Sequence, residues 1–129
     1  MIKAIHTLIF SDDPTATRAF LRDVLCWPYV EDSDSEPDWL IFKTGPSEMG
    51  VHPTRGADEG GSSDGPRRHS ISLMCDDLAA TLAELSARGA MFSGEPEDRG
   101  FGLGVMLRLP GADDILLYEP RHNEAYALE

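Results

Sequence analysis

The chain has 129 residues, 41% of them hydrophobic, which suits one compact domain with a core of its own. Its formal net charge of −12 argues against nucleic acid and anionic membranes as partners, because the phosphates of both would be repelled. A neutral or cationic small ligand suits this charge better, although an acidic surface that only aids solubility would have the same composition.

Neither a membrane span nor a signal peptide is indicated by the sequence. There is no run of about 20 apolar residues, and the first residues lack the apolar core and cleavage site of a secretory signal. We therefore expect a cytoplasmic protein. Cys26 and Cys75 show no CxxC spacing and are too few for a disulfide scaffold, so we expect two buried free thiols.

The two halves of the chain resemble each other when the sequence is shifted by 64 positions. The shift places Asp12 and Asp13 on Asp76 and Asp77. It also superposes Ala16 on Ala80, Thr17 on Thr81, Ala19 on Ala83, Leu21 on Leu85 and Pro46 on Pro110. This pattern predicts two related structural modules.

Each half opens with a short apolar run typical of a strand, at residues 5–11 and 70–75. The paired aspartates that follow predict helix N-caps, since a carboxylate accepts hydrogen bonds from the free N–H groups of the first turn. Apolar residues three and four positions apart then predict a helix over residues 14–25 and another over 78–88, with Gly89 as its C-terminal cap.

Three short strands are predicted after each helix, which gives the order βαβββ twice. They are expected at residues 29–30, 39–43 and 49–52, and at 91–92, 103–109 and 115–119.

The remaining segments are interpreted as loops. Residues 53–68 are rich in Gly, Ser, Asp and Pro, which favours a linker over a mobile lid on a cavity. Residues 31–38 include five acidic residues, which favours a solvated loop over a metal site. Residues 100–104, Gly-Phe-Gly-Leu-Gly, lack the strand and helix context of a phosphate-binding loop and predict a turn entering a strand.

Two segments resemble a known superfamily. "IHTLIFSDDPTATRAFLRDVL" resembles the opening module of vicinal-oxygen-chelate proteins, which include glyoxalase I, extradiol dioxygenases and bleomycin-resistance proteins, and "LPGADDILLYEP" is similar to their final turn and strand. The resemblance implies an α+β fold: two βαβββ modules whose paired, curved mixed sheets enclose a cavity, with helices outside. Module one would span about 1–54, the linker 55–67, module two 68–121 and a tail 122–129. Homodimers are also implied.

The same resemblance implies where metal ligands would lie. Members that use a metal place ligands in the first and last strand of each module, which corresponds here to His6, His52, Ser70 and Leu116. Leu116 has no donor atom and serine is a poor ligand, so we expect a degenerate site with either no cofactor or a weakly bound divalent metal at His6 and His52. His69 lies one residue from Ser70 and Glu119 lies three residues from Leu116, and a shift by an odd number turns a side chain to the opposite face of a sheet. Only an irregular strand or a bulge would bring His69 back into the site.

His6 and His52 are the catalytic candidates, with one imidazole acting as a general base and the other as a hydrogen-bond donor. The alternative for each is a core histidine that bonds a backbone group. The side chains expected to contact a ligand are Trp39, Ser70, Ser72, Phe101, Met106, Leu116 and Tyr118.

Three functions remain open at this point. The first is a cavity protein that binds a small hydrophobic or cationic molecule, as the bleomycin-resistance branch implies. The alternative is a metal-dependent lyase, isomerase or dioxygenase that uses His6 and His52. A weaker third option is an interaction module that has lost its site.

Overall fold

The computed structural model describes residues 1, 3–32, 39–54, 57–58, 61–62 and 66–128. The fold is α+β, as expected. In chain order its elements are α1 (Pro14–Asp23), β1 (Tyr29–Glu31), β2 (Leu40–Phe42), β3 (Ala57–Asp58), β4 (Gly61–Ser62), β5 (Ser72–Met74), α2 (Leu78–Ala87), β6 (Phe92–Asp98), β7 (Gly102–Leu107), β8 (Ile115–Pro120) and a 3-10 turn (Ala125–Ala127).

The second half forms a four-stranded sheet in the order β5-β8-β7-β6. β5 runs parallel to β8, and the other neighbours are antiparallel. One face of this sheet supplies Val105, Leu107 and Leu117, which are at most 3% exposed and pack in one core with Leu78 of α2 and Phe20 of α1. The opposite face is available to form a site.

The two helices confirm the internal repeat. They begin and end at positions 64 residues apart, and each is capped by an aspartate. Asp13 Oδ1 accepts from Ala16 N at 3.1 Å, and Asp77 Oδ1 accepts from Ala80 N at 2.9 Å. Gly89, at φ +93°, follows α2 in the left-handed conformation expected of a C-terminal cap.

The β1–β2 hairpin also follows the repeat. Tyr29 pairs with Phe42 in the first half, and Ser93 pairs with Met106 in the second, again at a shift of 64 positions. Each half therefore has an equivalent helix, an equivalent aspartate cap and the same register in the hairpin that follows.

The predictions of strands at residues 5–11 and 49–52 were wrong. Residues 3–11 and 49–54 contain no strand, and their apolar side chains remain exposed, by 57% at Ile5, 89% at Phe10 and 98% at Val51. A strand needs a neighbour that completes its backbone hydrogen bonds, and an apolar composition alone does not supply one.

The linker interpretation is tested only in part. β3 and β4 form a small antiparallel pair inside residues 53–68. Residues 55–56, 59–60 and 63–65 lie outside the described part of the chain, as do residues 33–38, which hold most of the acidic loop. The choices between linker and lid, and between solvated loop and metal site, remain predictions.

Both cysteines are free, but the prediction that both are buried was wrong for Cys26. Cys26 is exposed just after α1, where the chain turns with φ +58°. Cys75 is half-buried, and burial raises the pKa of its thiol. Among the described residues, no helix combines the length and apolar character needed to cross a bilayer.

Candidate ligand-binding cavity

A cavity of about 590 Å³ lies on the face of the β5–β8 sheet opposite the core, a volume typical of small-molecule sites. Three parts of the chain form it: the sheet, the segment before the linker and the C-terminal tail. Its lining residues are Glu48, Met49, Gly50, Val51, His52, Ser70, Ser72, Met74, Phe101, Tyr118, His122, Asn123 and Ala125.

Sheet register explains which strand residues face the cavity. Ser72 pairs with Leu116, and Met74 and Gly104 both pair with Tyr118. Residues directly opposite each other in a sheet share a face, so these side chains lie on the cavity side. The intervening residues, such as Leu117, point into the core.

Glu48, Tyr118 and His122 form a polar cluster in the cavity wall. The Tyr118 hydroxyl lies 3.1 Å from His122 Nε2, and Glu48 Oε1 lies 3.6 Å from the same nitrogen. His122 Nδ1 is 2.9 Å from the carbonyl oxygen of Asn123, to which it must donate because a carbonyl oxygen only accepts. In the neutral imidazole, Nε2 therefore accepts from Tyr118.

Glu48 also fixes the tail to the first half of the chain. Its Oε2 accepts from the backbone N–H of Ala125 at 2.7 Å, and its side chain is only 18% exposed. A carboxylate in this position gives one wall of the cavity a negative charge while holding the tail in place.

The aromatic wall consists of Phe101 and Tyr118, whose rings meet edge to face at 5.2 Å between centroids. Burial, and then the negative charges of Glu48 and Glu124, raise the pKa of the Tyr118 phenol. The hydroxyl therefore remains protonated at neutral pH and can donate a hydrogen bond.

Five of the predicted site residues lie in this cavity wall: His52, Ser70, Ser72, Phe101 and Tyr118. His52 is exposed, and its Nδ1 donates to the Pro53 carbonyl at 2.8 Å. These residues share one cavity wall, while their predicted contacts with a ligand and their predicted roles remain predictions.

The other predicted site residues lie outside the lining. His6 is exposed on the N-terminal segment, and Met106 and Leu116 lie on the correct sheet face but further along the strands. Trp39 lies beside α1, with the Arg18 guanidinium 5.2 Å from its ring centroid.

Glu48 and His122 were missed by the sequence reasoning. Both lie in segments without regular structure and have no motif around them. Neither position follows from the strand pattern, so only the tertiary contact between the segment before the linker and the tail brings them together.

The family's metal site does not fit the residues present. Leu116 offers no donor, and His6 is absent from the residues that line the cavity with His52 and Ser70. Glu119 Oε1 accepts from the backbone N–H of Leu78 at 3.0 Å, which places this carboxylate on the α2 side of the sheet. Within the described residues, no group of three or more His, Cys, Asp or Glu side chains could hold a metal ion.

Residues 3–124 match the family model of the Glyoxalase/Bleomycin resistance protein/Dioxygenase superfamily. The chain belongs to this superfamily. A comparison with curated proteins finds no match.

Several solved structures share the fold. A glyoxalase/bleomycin resistance protein/dioxygenase superfamily member from Sphaerobacter thermophilus is 21% identical, with 92% of this chain and 98% of that chain covered and a TM-score of 0.58. A lactoylglutathione lyase from Agrobacterium tumefaciens is 18% identical, with coverages of 92% and 94% and a TM-score of 0.59. TnmS3, an antibiotic binding protein from Streptomyces sp. CB03234, is 20% identical, with coverages of 93% and 99% and a TM-score of 0.56.

Proposed function

We propose that this superfamily member binds a small hydrophobic or cationic molecule in its cavity without a resident metal. The observation that carries the proposal is a cavity of about 590 Å³ on a sheet face where Leu116, further along the same face, occupies a position at which the family resemblance implies a metal ligand. TnmS3, an antibiotic binding protein, shares this fold, so the fold can serve a binding role.

The chemistry of the wall suits such a ligand. Phe101, Tyr118, Met49 and Met74 offer apolar surface, and aromatic faces also attract cations. Glu48 adds a carboxylate that can pair with a positive group. The hydroxyls of Ser70 and Ser72 can orient the ligand by hydrogen bonds.

The experiment uses chelator-treated protein titrated with two fluorescent probes, neutral N-phenyl-1-naphthylamine and cationic ethidium. We expect saturable binding of at least one probe, unchanged by the chelator. Ser72→Trp should fill the cavity and weaken binding at least tenfold, whereas the control Ser86→Trp, at an exposed position of α2, should bind as the wild type does. Absence of saturable binding, or binding that returns only with added metal, would contradict the proposal.

We also propose a homodimer, as the family resemblance implies. The exposed apolar side chains of Ile5, Phe10 and Val51 support it, because surface of this kind is usually covered by a partner. Light scattering at working concentration should give twice the chain mass, and a monomer would refute the expectation.

An enzymatic role through His6 and His52 together has less support. Of these two histidines, His52 lines the cavity and His6 does not, so the cavity does not bring both imidazoles to one substrate. Neither function depends on a nucleic-acid or membrane partner.

A further inference from the structure

Arg99 lies in the turn between β6 and β7, outside the residues that line the cavity, and its side chain passes beside Gly104 on the same face of the sheet. A Cβ atom at Gly104 would lie 3.3 Å from Arg99 Nε and 3.3 Å from Tyr118 Cβ. The guanidinium group and the aromatic wall are therefore neighbours on one face, and the absence of a side chain at position 104 leaves room for the arginine.

This guanidinium group has no partner among the described residues. Its Nε is buried and makes no hydrogen bond, and no carboxylate in the described part of the chain forms an ion pair with the side chain. Buried N–H groups almost always have an acceptor, because leaving one without a partner forfeits its hydration. A bound molecule could supply the missing acceptor.

The nearby carboxylates do not fill this role. Asp98 is held by Arg121 at 2.6 Å and by the Gly100 N–H at 2.9 Å. Glu119 accepts from α2 on the opposite face, and Glu97 is exposed and forms no ion pair with Arg99 in the described part of the chain. An arginine without a carboxylate partner in the described part of the chain is unexpected in a protein with 23 acidic and 11 basic residues.

We propose that Arg99 recognises an oxyanion, a carboxylate or sulfonate, on an aromatic molecule bound in the cavity. The inference rests on the proposed binding function, and it adds an oxyanion to the hydrophobic ligand proposed there. The ring would pack on Phe101 and Tyr118, and the oxyanion would accept hydrogen bonds from the guanidinium, whose planar fork matches two oxygen atoms.

The net charge of the chain favours a neutral or cationic ligand, whereas the local charge of Arg99 favours an anionic group. The negative total disfavours anions at long range, but solvent and salt screen distant charges. The partly buried guanidinium beside Tyr118 is screened much less, so in this proposal it selects the group that is accepted next to the aromatic wall. A positive group on the same molecule would lie toward Glu48 instead.

The experiment compares two probes that differ by one sulfonate, 8-anilinonaphthalene-1-sulfonate and N-phenyl-1-naphthylamine. Fluorescence titrations would give the Kd of each for the wild type, Arg99→Gln and Arg99→Lys. We expect Arg99→Gln to weaken the sulfonated probe at least tenfold and the neutral probe less than twofold, with Arg99→Lys between wild type and Gln for the sulfonated probe.

The matched control is Arg108→Gln, which removes the same charge from an exposed arginine that bonds Ser93. It should change neither Kd more than twofold. Equal effects of Arg99→Gln on both probes, or no effect, would overturn the inference while leaving the binding function in place. Failure of the wild type to bind either probe, or ethidium, would instead reject the binding function itself.

A displacement experiment on the wild type tests the same proposal without depending on whether the variants fold. 1-Naphthoate should displace N-phenyl-1-naphthylamine at a concentration at least tenfold lower than 1-naphthamide, which has the same ring without the charge. Equal displacement by the two compounds would overturn the role of Arg99.

Discussion

The two halves of this chain share a sequence pattern but differ in how completely they fold. The second half forms strand, helix and three strands in one sheet. The first half forms the helix and one hairpin, while residues 3–11 and 49–54 have no strand. The comparison shows that caps and turns are local properties of a sequence, whereas a sheet depends on partners that the local sequence does not contain.

The largest expected difference between the halves is in side-chain truncation. Leu107→Ala removes a side chain with 0% exposure and should lower the free energy of unfolding by about 2–5 kcal/mol. Val51→Ala, at a side chain 98% exposed, should change it by less than about 0.5 kcal/mol. Urea unfolding measures both, and equal losses would show that the first half is packed as tightly as the second.

An intermediate effect separates two threonines at equivalent positions. The Thr17 hydroxyl contacts Asp13 O, Pro110 O and Ser11 Oγ and is buried, whereas the Thr81 hydroxyl donates to Asp77 O and lies beside the Cys75 thiol. We expect Thr17→Val to cost about 1–3 kcal/mol and Thr81→Val about 1 kcal/mol or less. Urea denaturation of both variants tests this, and a larger loss at Thr81 would reverse the assignment.

The smallest effect concerns alkaline pH. Burial raises the pKa of Tyr118, so the folded state retains its phenol proton above pH about 10, where the unfolded chain begins to lose it. Stability therefore falls as pH rises through this range. The difference in unfolding free energy between the wild type and Tyr118→Phe should shrink from pH 8 to pH 11.

Urea unfolding at several pH values measures this difference. A constant difference for Tyr118→Phe from pH 8 to pH 11 would show that the buried phenol does not contribute to the pH dependence.

Much of the fold was predictable because it is encoded locally. The aspartate caps, the helix lengths and the shift of 64 positions are all visible in the sequence, and the structure repeats them in its hydrogen bonds. The strands at residues 5–11 and 49–52 were predicted from composition and are not formed, because nothing in their own sequence specifies a neighbour.

The site was predictable only where it follows strand alternation. Ser72 and Tyr118 could be placed because sheet register assigns every second residue to one face. Glu48, His122 and Arg99 could not, since each belongs to a loop or a tail. Their positions depend on how distant segments meet, for which the sequence carries no periodic signal.

Gly111 has a consequence for the order in which the molecule can assemble. Its carbonyl accepts from Asp12 N at 2.7 Å, and a Cβ at this position would lie 2.5 Å from Ser11 Oγ and 2.8 Å from Asp13 N. The N-terminus of α1 therefore packs against a turn that lies almost one hundred residues later in the chain. A nascent chain can form α1 early, but the N-terminus of α1 acquires its final position only after the turn at Gly111 has emerged.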